Sequence, residues 1–567
     1  MAPERCCDLV MKGGITSGVL YPSAVREIAE RFYLVGIGGT SAGAIAASVA
    51  AAAEYRRRQT GRFDGFERFE EIARELASPG RLLGLFRPDD QTERLFRVVQ
   101  RVLEGRTGLF TRLGIGWRLL VGRDRRLARI VDNGFGLATG MANGNREAGE
   151  PPLTEWLADT IDEVAGMPPG EPLTFAHLRE ARVPDALSGV LDRDHDPAID
   201  LRAITTCLTF GRPFEIPFEQ DIFAFDPEEW RRLFPERIVA HLERTAGTRR
   251  ASTLARDRRL PLPRFELPVV VAARMSLSFP GLFSMVPLHA INWGRTEEPM
   301  QRVWFSDGGI TSNFPIHRFD ALYPRWPTLG LNLQYTGPDG QPARRRLQRD
   351  GGRVFVARDR REGVLDLWHD FERADTATGD MLGFAAAIFR AAQVWHDNAY
   401  LKLPGYRDRV AEIWLSPDEG GLNLDMDPAT IERLIERGRE AGRTIAERFS
   451  TVSGTEPMSW DGHRWTRFRS AMAGLMHALR RLERNAAVAM PGDATLAELL
   501  AGRDRPPSYP FDTLDQAQAA RHATDDLLEL VAAIRALGVC LGSDDDLERP
   551  FCSGPRPRVE IGSRAPF

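Results

Sequence analysis

The chain has 567 residues, 43% of them hydrophobic and 27% charged, with 75 basic against 79 acidic side chains and a formal charge of -4. That length leaves room for two to four ordinary domains, or for one large α/β unit with additions. The near balance of charge lacks the basic excess of a nucleic-acid surface, so no nucleic-acid partner is expected.

Five cysteines, Cys6, Cys7, Cys207, Cys540 and Cys552, have no CxxC spacing, which indicates neither a zinc ribbon nor a disulfide framework. The opening "MAPERCCDLVMKGG" carries an apolar run too short for a secretory signal. No window approaches the roughly 20 apolar residues of a spanning helix. The expectation is a cytoplasmic protein with at most peripheral membrane contact; the oligomeric state stays open.

In chain order, "CDLVMKGGITSGVLYPSAVREIAERF" reads as a short strand, a glycine turn and an amphipathic helix from about Leu20 to Phe32. "FYLVGIGG" is a second strand, and "AGAIAASVAAAAEYRRR" is a helix whose small residues let it lie close on a sheet. Residues 56–198 read as a mostly helical cap or insertion, including "QTERLFRVVQRVLE" and "PLTEWLADTIDEVAG". Strand patterns return in "DLRAITTCLTFG", "RVWFSDGG", "TLGLNLQY" and "VAEIWLS". The alternation predicts an α/β fold with a central mixed, largely parallel sheet and helices on its faces. "TVSGTEPMSWDG" reads as a linker, dividing a main domain, 1–453, from a helical C-terminal region, 454–567, with helices near 463–487 and 512–538 and an irregular tail.

The glycine-rich stretch "LVGIGGTSAGAIAAS" admits three mechanisms. A P-loop requires GxxxxGK[ST], but Ala44 and Ile45 follow Gly43. A dinucleotide fingerprint requires a third glycine where Ser41 stands. GxSxG does fit, as Gly39, Thr40, Ser41, Ala42 and Gly43 between an apolar strand and a helix. In that setting Ser41 is exposed on a strained turn, and the helix start supplies N–H groups for an oxyanion. A simple tight turn is the competing reading. For a base, His317 and His396 would give a Ser-Asp-His order. The stronger candidate is Asp307, which ends an apolar strand at the Gly308-Gly309 turn of "VWFSDGGITSNFP".

The glycine-rich first loop, GxSxG at the next strand-to-helix corner and a later Asp-Gly-Gly together resemble the patatin-like phospholipases. Residues 205–218 and 273–288 look like that family's core strand and the segment before its Asp strand. The resemblance implies a modified α/β-hydrolase fold and hydrolysis of lipid acyl esters by a Ser-Asp dyad. Ser41 is then the nucleophile and Asp307 the base, with Gly13 and Gly14 as oxyanion donors assisted by the N–H of Ala42. Lys12 and Gly18 complete the loop. It departs from the family's usual GGGx[RK]G, since Thr16 and Ser17 stand where a basic residue is expected.

The dyad chemistry requires no metal or cofactor, and the implied partner is a membrane phospholipid or other acyl lipid. Phe279, Leu282, Phe283 and Met285 are candidate acyl-pocket residues, with core packing the alternative. Arginines 56–58, 123–126 and 344–346 are candidate contacts for anionic headgroups, with solvated surface the alternative. A catalytically inactive binding protein on the same fold is a further reading, prompted by the altered first loop.

Overall fold

The computed structural model describes residues 3–14, 17–76, 81–85, 130–142, 151–192, 194–246, 259–292, 299–335, 352–357, 405–416, 426–450, 458–486, 490–494 and 513–540, with a few isolated positions between them. The chain divides into two compact units, one comprising Met1–Asp320, Arg325–Lys402 and Tyr406–Trp460, the other Ala321–Pro324, Leu403–Gly405 and Asp461–Phe567. The main division between them falls after Trp460.

The first unit opens with β1 (Arg5–Met11), α1 (Tyr21–Ala29), β2 (Phe32–Thr40), α2 (Ala42–Thr60) and α3 (Asp64–Leu76). There follow β3 (Gly136–Ala138), α4 (Leu153–Ala165), β4 (Asp200–Cys207), β5 (Arg212–Ile216), β6 (Ala224–Phe225) and β7 (Leu260–Pro261). Next come α5 (Val269–Ser276), β8 (Gly281–Phe283), β9 (Val286–Ile291), β10 (Met300–Asp307), β11 (Thr328–Tyr335), β12 (Val354–Phe355), β13 (Val410–Leu415) and α6 (Pro428–Ser450).

Eleven strands form one sheet in the order β12-β13-β11-β1-β2-β4-β10-β9-β6-β7, with β5 paired to β4, while β3 and β8 pair separately. Its centre, β13-β11-β1-β2-β4, is parallel; β10 and β9 continue it antiparallel. This is the mixed, largely parallel sheet expected from the strand and helix alternation.

Apolar burial explains the layering. β2 is buried along its whole length, as a parallel strand covered on both faces must be. The alanines of α2 let it sit deep in the core, where Phe66 and Phe69 of α3 and Leu157 and Ile161 of α4 join the same cluster. The described helices of the stretch 56–198 are therefore packed into the core, while "QTERLFRVVQRVLE" lies almost wholly outside the described residues.

The "RRR" run at the end of α2 has a structural fate. Arg57 and Arg58 are buried and both pair with the fully buried Glu54. Their guanidinium groups also donate to the carbonyls of Ala29, Phe32 and Leu34 and lie over the Tyr33 ring at 4.6 and 5.0 Å. Arg56 pairs with Asp64 at 2.7 Å. The cluster ties the end of α2 to the α1–β2 connection rather than meeting a headgroup. Arginines 123–126 and 344–346 lie outside the described residues.

The second unit contains α7 (Trp460–Ala486, from its second residue onward) and α8 (Leu514–Cys540). Within it, Arg464 donates to the Tyr323 hydroxyl at 2.7 Å and Arg467 to the Ala321 carbonyl at 2.7 Å.

Removing one member of a buried ion cluster strands the remaining charges, at a cost of roughly 3–5 kcal/mol. Glu54→Ala is accordingly expected to lower the thermal unfolding midpoint by several degrees, measured by circular dichroism. A midpoint equal to that of the parent would refute this account of the cluster.

Candidate active site

β2 ends at Thr40 and α2 begins at Ala42, so Ser41 alone makes the corner. Its backbone, at φ 56° and ψ -126°, occupies a region that non-glycine residues rarely enter and that costs roughly 1–3 kcal/mol. The surroundings over-determine it. The Ser41 N–H donates to Ser276 Oγ at 2.9 Å, and that hydroxyl donates onward to the Ile204 carbonyl at 2.6 Å. The Ser41 carbonyl accepts from Ala44 and Ile45 as α2 begins.

The flanking glycines are required by space. A Cβ on Gly39 would lie 2.2 Å from the Gly43 carbonyl oxygen, and one on Gly43 would lie 2.3 Å from that of Met11. Gly36 and Gly38, which made the stretch look like a dinucleotide loop, make room for the Phe319 ring instead.

Asp307 ends β10 and caps a short 3-10 turn, Gly308–Ile310, accepting the Gly309 N–H through Oδ1 at 2.7 Å. The sheet brings it to Ser41. Thr40 pairs with Ile204 on one side of β4, and Asp307 pairs with Thr205 on the other. The two residues thus stand at one end of the sheet, separated by about 10 Å of backbone, or two strand spacings.

The Asp307 carboxyl is buried, which pushes it up to about 7, while hydrogen bonding from the Ser41 hydroxyl and the Gly309 N–H holds it down. Oδ2 has no partner of ordinary geometry, so the Ser41 contact is loose, as resting catalytic hydrogen bonds often are. Among the described residues, no histidine acts on the carboxyl. His317 lies in the 3-10 turn Ile316–Phe319, and His396 is outside the described residues.

The first loop lies over Ser41. Gly13 is close enough that an added Cβ would approach Ser41 Cβ at 3.2 Å, and Gly18 is packed likewise on Ala42. The Gly13 N–H, however, donates to the Asn313 carbonyl at 3.0 Å, so in this conformation it is engaged with the segment after the Asp-Gly-Gly turn. Gly14 also has a partner. The Ala42 N–H, at the first position of α2, has no acceptor among the described residues. Lys12 serves the sheet: its ammonium donates to the Leu333 carbonyl at 2.8 Å and its N–H to that of Leu331.

Of the candidate acyl-pocket side chains, Leu282, Phe283 and Met285 are buried, and Phe279 is partly buried against the main core. Phe283 lies beneath Arg274, at 5.2 Å from its guanidinium. Arg274 was not singled out from sequence, yet it is fully buried with no carboxylate partner among the described residues. It donates to Ser278 Oγ and to the carbonyls of Thr139 and Ser284. Burial lowers it to about 9, which leaves it cationic at neutral pH. Ser278 in turn accepts the Asp307 N–H through its carbonyl at 2.9 Å, so Arg274 braces the segment that holds the acid. Ser276, Asn313 and Arg274 carry no local motif; their roles come from tertiary contacts.

A crevice of about 370 Å³ lined by Arg26, Glu67, Glu70, Glu71, Arg74 and Arg439 shares no residue with this site. Its carboxylate and guanidinium groups pair with one another, through Glu70 above all.

A serine corner at the end of a strand in a mixed, largely parallel sheet is the architecture of enzymes of the α/β-hydrolase type. The chain belongs to the patatin-like phospholipase family, whose model matches residues 9–320. It is 31% identical to a protein named RpoH suppressor from Rhizobium meliloti (strain 1021), over 93% of this chain and 95% of that one. Among solved structures, VipD from Legionella pneumophila gives a TM-score of 0.31 at 13% identity, covering 85% of this chain and 77% of that one. The ExoU–SpcU complex from the type III secretion system of Pseudomonas aeruginosa gives 0.24 at 16%, covering 97% and 75%.

A raised carboxyl has a thermodynamic signature. Between its usual 3.8 and about 7, folded Asp307 keeps a proton that the unfolded chain has released. It therefore adds stability at low pH that is lost as pH rises through about 7. Asp307→Asn is expected to melt close to the parent near pH 4 and, by an amount that grows between pH 4 and 7, several degrees above it at pH 8. Equal midpoints at both pH values would contradict this.

Proposed function

We propose that the Ser41 site hydrolyses fatty-acyl esters of membrane phospholipids through a Ser41–Asp307 dyad and an acyl-enzyme. The reading is supported by membership of the patatin-like phospholipase family. The observation that carries it is the meeting of a strained, buried serine with a desolvated carboxyl whose other bond is to a turn N–H.

In the first half-reaction Asp307 accepts the hydroxyl proton as Ser41 Oγ attacks the ester carbonyl. The oxyanion is received at the start of α2, where the Ala42 N–H has no acceptor among the described residues. Gly13 then contributes a close backbone wall, and donates only if its bond to Asn313 is released. Collapse of the tetrahedral adduct breaks the ester C–O bond, and the proton held by Asp307 passes to the leaving alcohol. Water repeats the sequence on the acyl-serine, with Asp307 again taking and returning the proton, and frees the fatty acid. A carboxyl poised near 7 suits both directions of this transfer.

The test uses a water-soluble short-chain nitrophenyl ester and phosphatidylcholine vesicles. Ser41→Ala and Asp307→Ala are each expected to reduce turnover by about 10³-fold or more, whereas His317→Ala should retain it. The parent rate should rise with pH through an apparent pKa near 7. Turnover that survives Ser41→Ala would defeat the proposal, and loss on His317→Ala would replace the dyad by a triad.

A further inference from the structure

Large apolar side chains scattered singly on a surface call for no explanation, but a cluster does. Leu208 and Phe210, on the turn of the β4–β5 hairpin, are 48% and 45% exposed; Ile222 is 43% exposed and Phe135 41%. They are connected. The Phe210 ring lies 6.4 Å from that of Phe223, the neighbour of Ile222 in the chain. Phe135 meets Trp304 edge-on at 5.6 Å, and the Trp304 carbonyl accepts the Leu208 N–H at 2.9 Å.

Phe135 also has a φ of 62°, a left-handed conformation uncommon for so bulky a residue. Strain of this kind on an exposed ring gives it no burial in return.

The cluster is placed with respect to Ser41. β4 runs parallel to β2 with Ile204 opposite Thr40, then continues to Cys207 before turning. At about 3.3 Å per residue, Leu208 stands roughly 13 Å beyond the level of Thr40, at the sheet end that carries the nucleophile. Behind the tip, rings run inward from Phe210 to Phe214 at 6.0 Å and from Phe214 to Phe305 at 5.7 Å. Phe305 is two residues before Asp307 on β10.

The charges around the tip offset one another. Arg212 lies over Phe214 at 4.3 Å and Arg302 over Trp304 at 5.3 Å, while Glu219 and Asp221 are exposed on the following loop. Attraction by charge is therefore weak, and apolar insertion is the contact that such a surface offers. A narrow hairpin tip flanked by stacked arginines suits the boundary of a bilayer, with the rings below the headgroups and the guanidinium groups among them.

We propose that Leu208 and Phe210, with Ile222 and Phe135 beside them, insert into the surface of a phospholipid bilayer and bring the Ser41 site to its ester. The proposal rests on the lipid-ester reading of that site.

The experiment compares the full chain with L208S/F210S on three readouts: flotation with phosphatidylcholine vesicles, hydrolysis of those vesicles, and hydrolysis of the soluble short-chain ester. Flotation and vesicle hydrolysis are expected to fall about 10-fold or more, as loss of about 1.4 kcal/mol of insertion requires. Soluble-ester turnover should stay within about two-fold of the parent. Parent flotation should persist in high salt without added phosphatidylglycerol.

In addition, the emission of Phe210→Trp should shift to the blue on adding vesicles. Parent-like flotation of the double variant, an unshifted emission, or binding that needs phosphatidylglycerol and vanishes in salt would each overturn the inference. So would a parent dimer that L208S/F210S converts to monomer, which would make the tip a protein interface. If the parent floats and the double variant does not, while neither hydrolyses any ester, the docking surface stands and the catalytic reading falls.

Discussion

The turn at Ser41 is the constraint on which the rest of the structure depends. A side-chain-bearing residue at φ 56° and ψ -126° persists only if its neighbours leave it no alternative. Those neighbours come from four places: Ser276 at the end of α5, the Ile204 carbonyl on β4, the Gly43 backbone on α2 and the Met11 carbonyl on β1. Fixing one corner therefore fixes the packing of three strands and two helices. The buried pairing of Arg57 and Arg58 with Glu54 anchors the far end of the same helix.

The acid is arranged by a different means. Asp307 is set by strand register and by a turn that gives its carboxyl one N–H donor. Burial without a cationic partner among the described residues raises its proton affinity, and the hydroxyl of Ser41 and the Gly309 N–H lower it. Arg274 lies one link away, through Ser278, and donates to the Ser278 hydroxyl and to two carbonyls. A positive charge paired directly with Asp307 would lower its proton affinity, whereas this arrangement braces the segment and spares the acid.

What was legible in the sequence was local. The strands ending at Thr40 and Asp307, the helix after Ser41 and the strands at 328–335 and 410–415 each announce themselves by apolar runs beside turn residues. What was not legible depends on partners distant in the chain. The arginines at 56–58 read as a surface patch because nothing nearby reveals that Glu54 and three carbonyls would take two of them inside. The Gly13 N–H read as an oxyanion donor because its engagement with Asn313 spans some three hundred residues. Ser276 and Arg274 sit in the stretch 273–288, where nothing local reveals that they will bond to the Ser41 N–H and to the Thr139 carbonyl.

The placement of β4 between the strand that leads to Ser41 and the strand that ends at Asp307 has a consequence for how such a chain can change. The spacing of Ser41 and Asp307 is set by hydrogen-bond ladders, not by the length of chain joining them. Segments between the two, such as the long stretch from α3 to α4, are thus free to lengthen, shorten or diverge without moving either residue, provided the two ladders close in the same register. New specificity can be grafted there while the chemistry stays where it is.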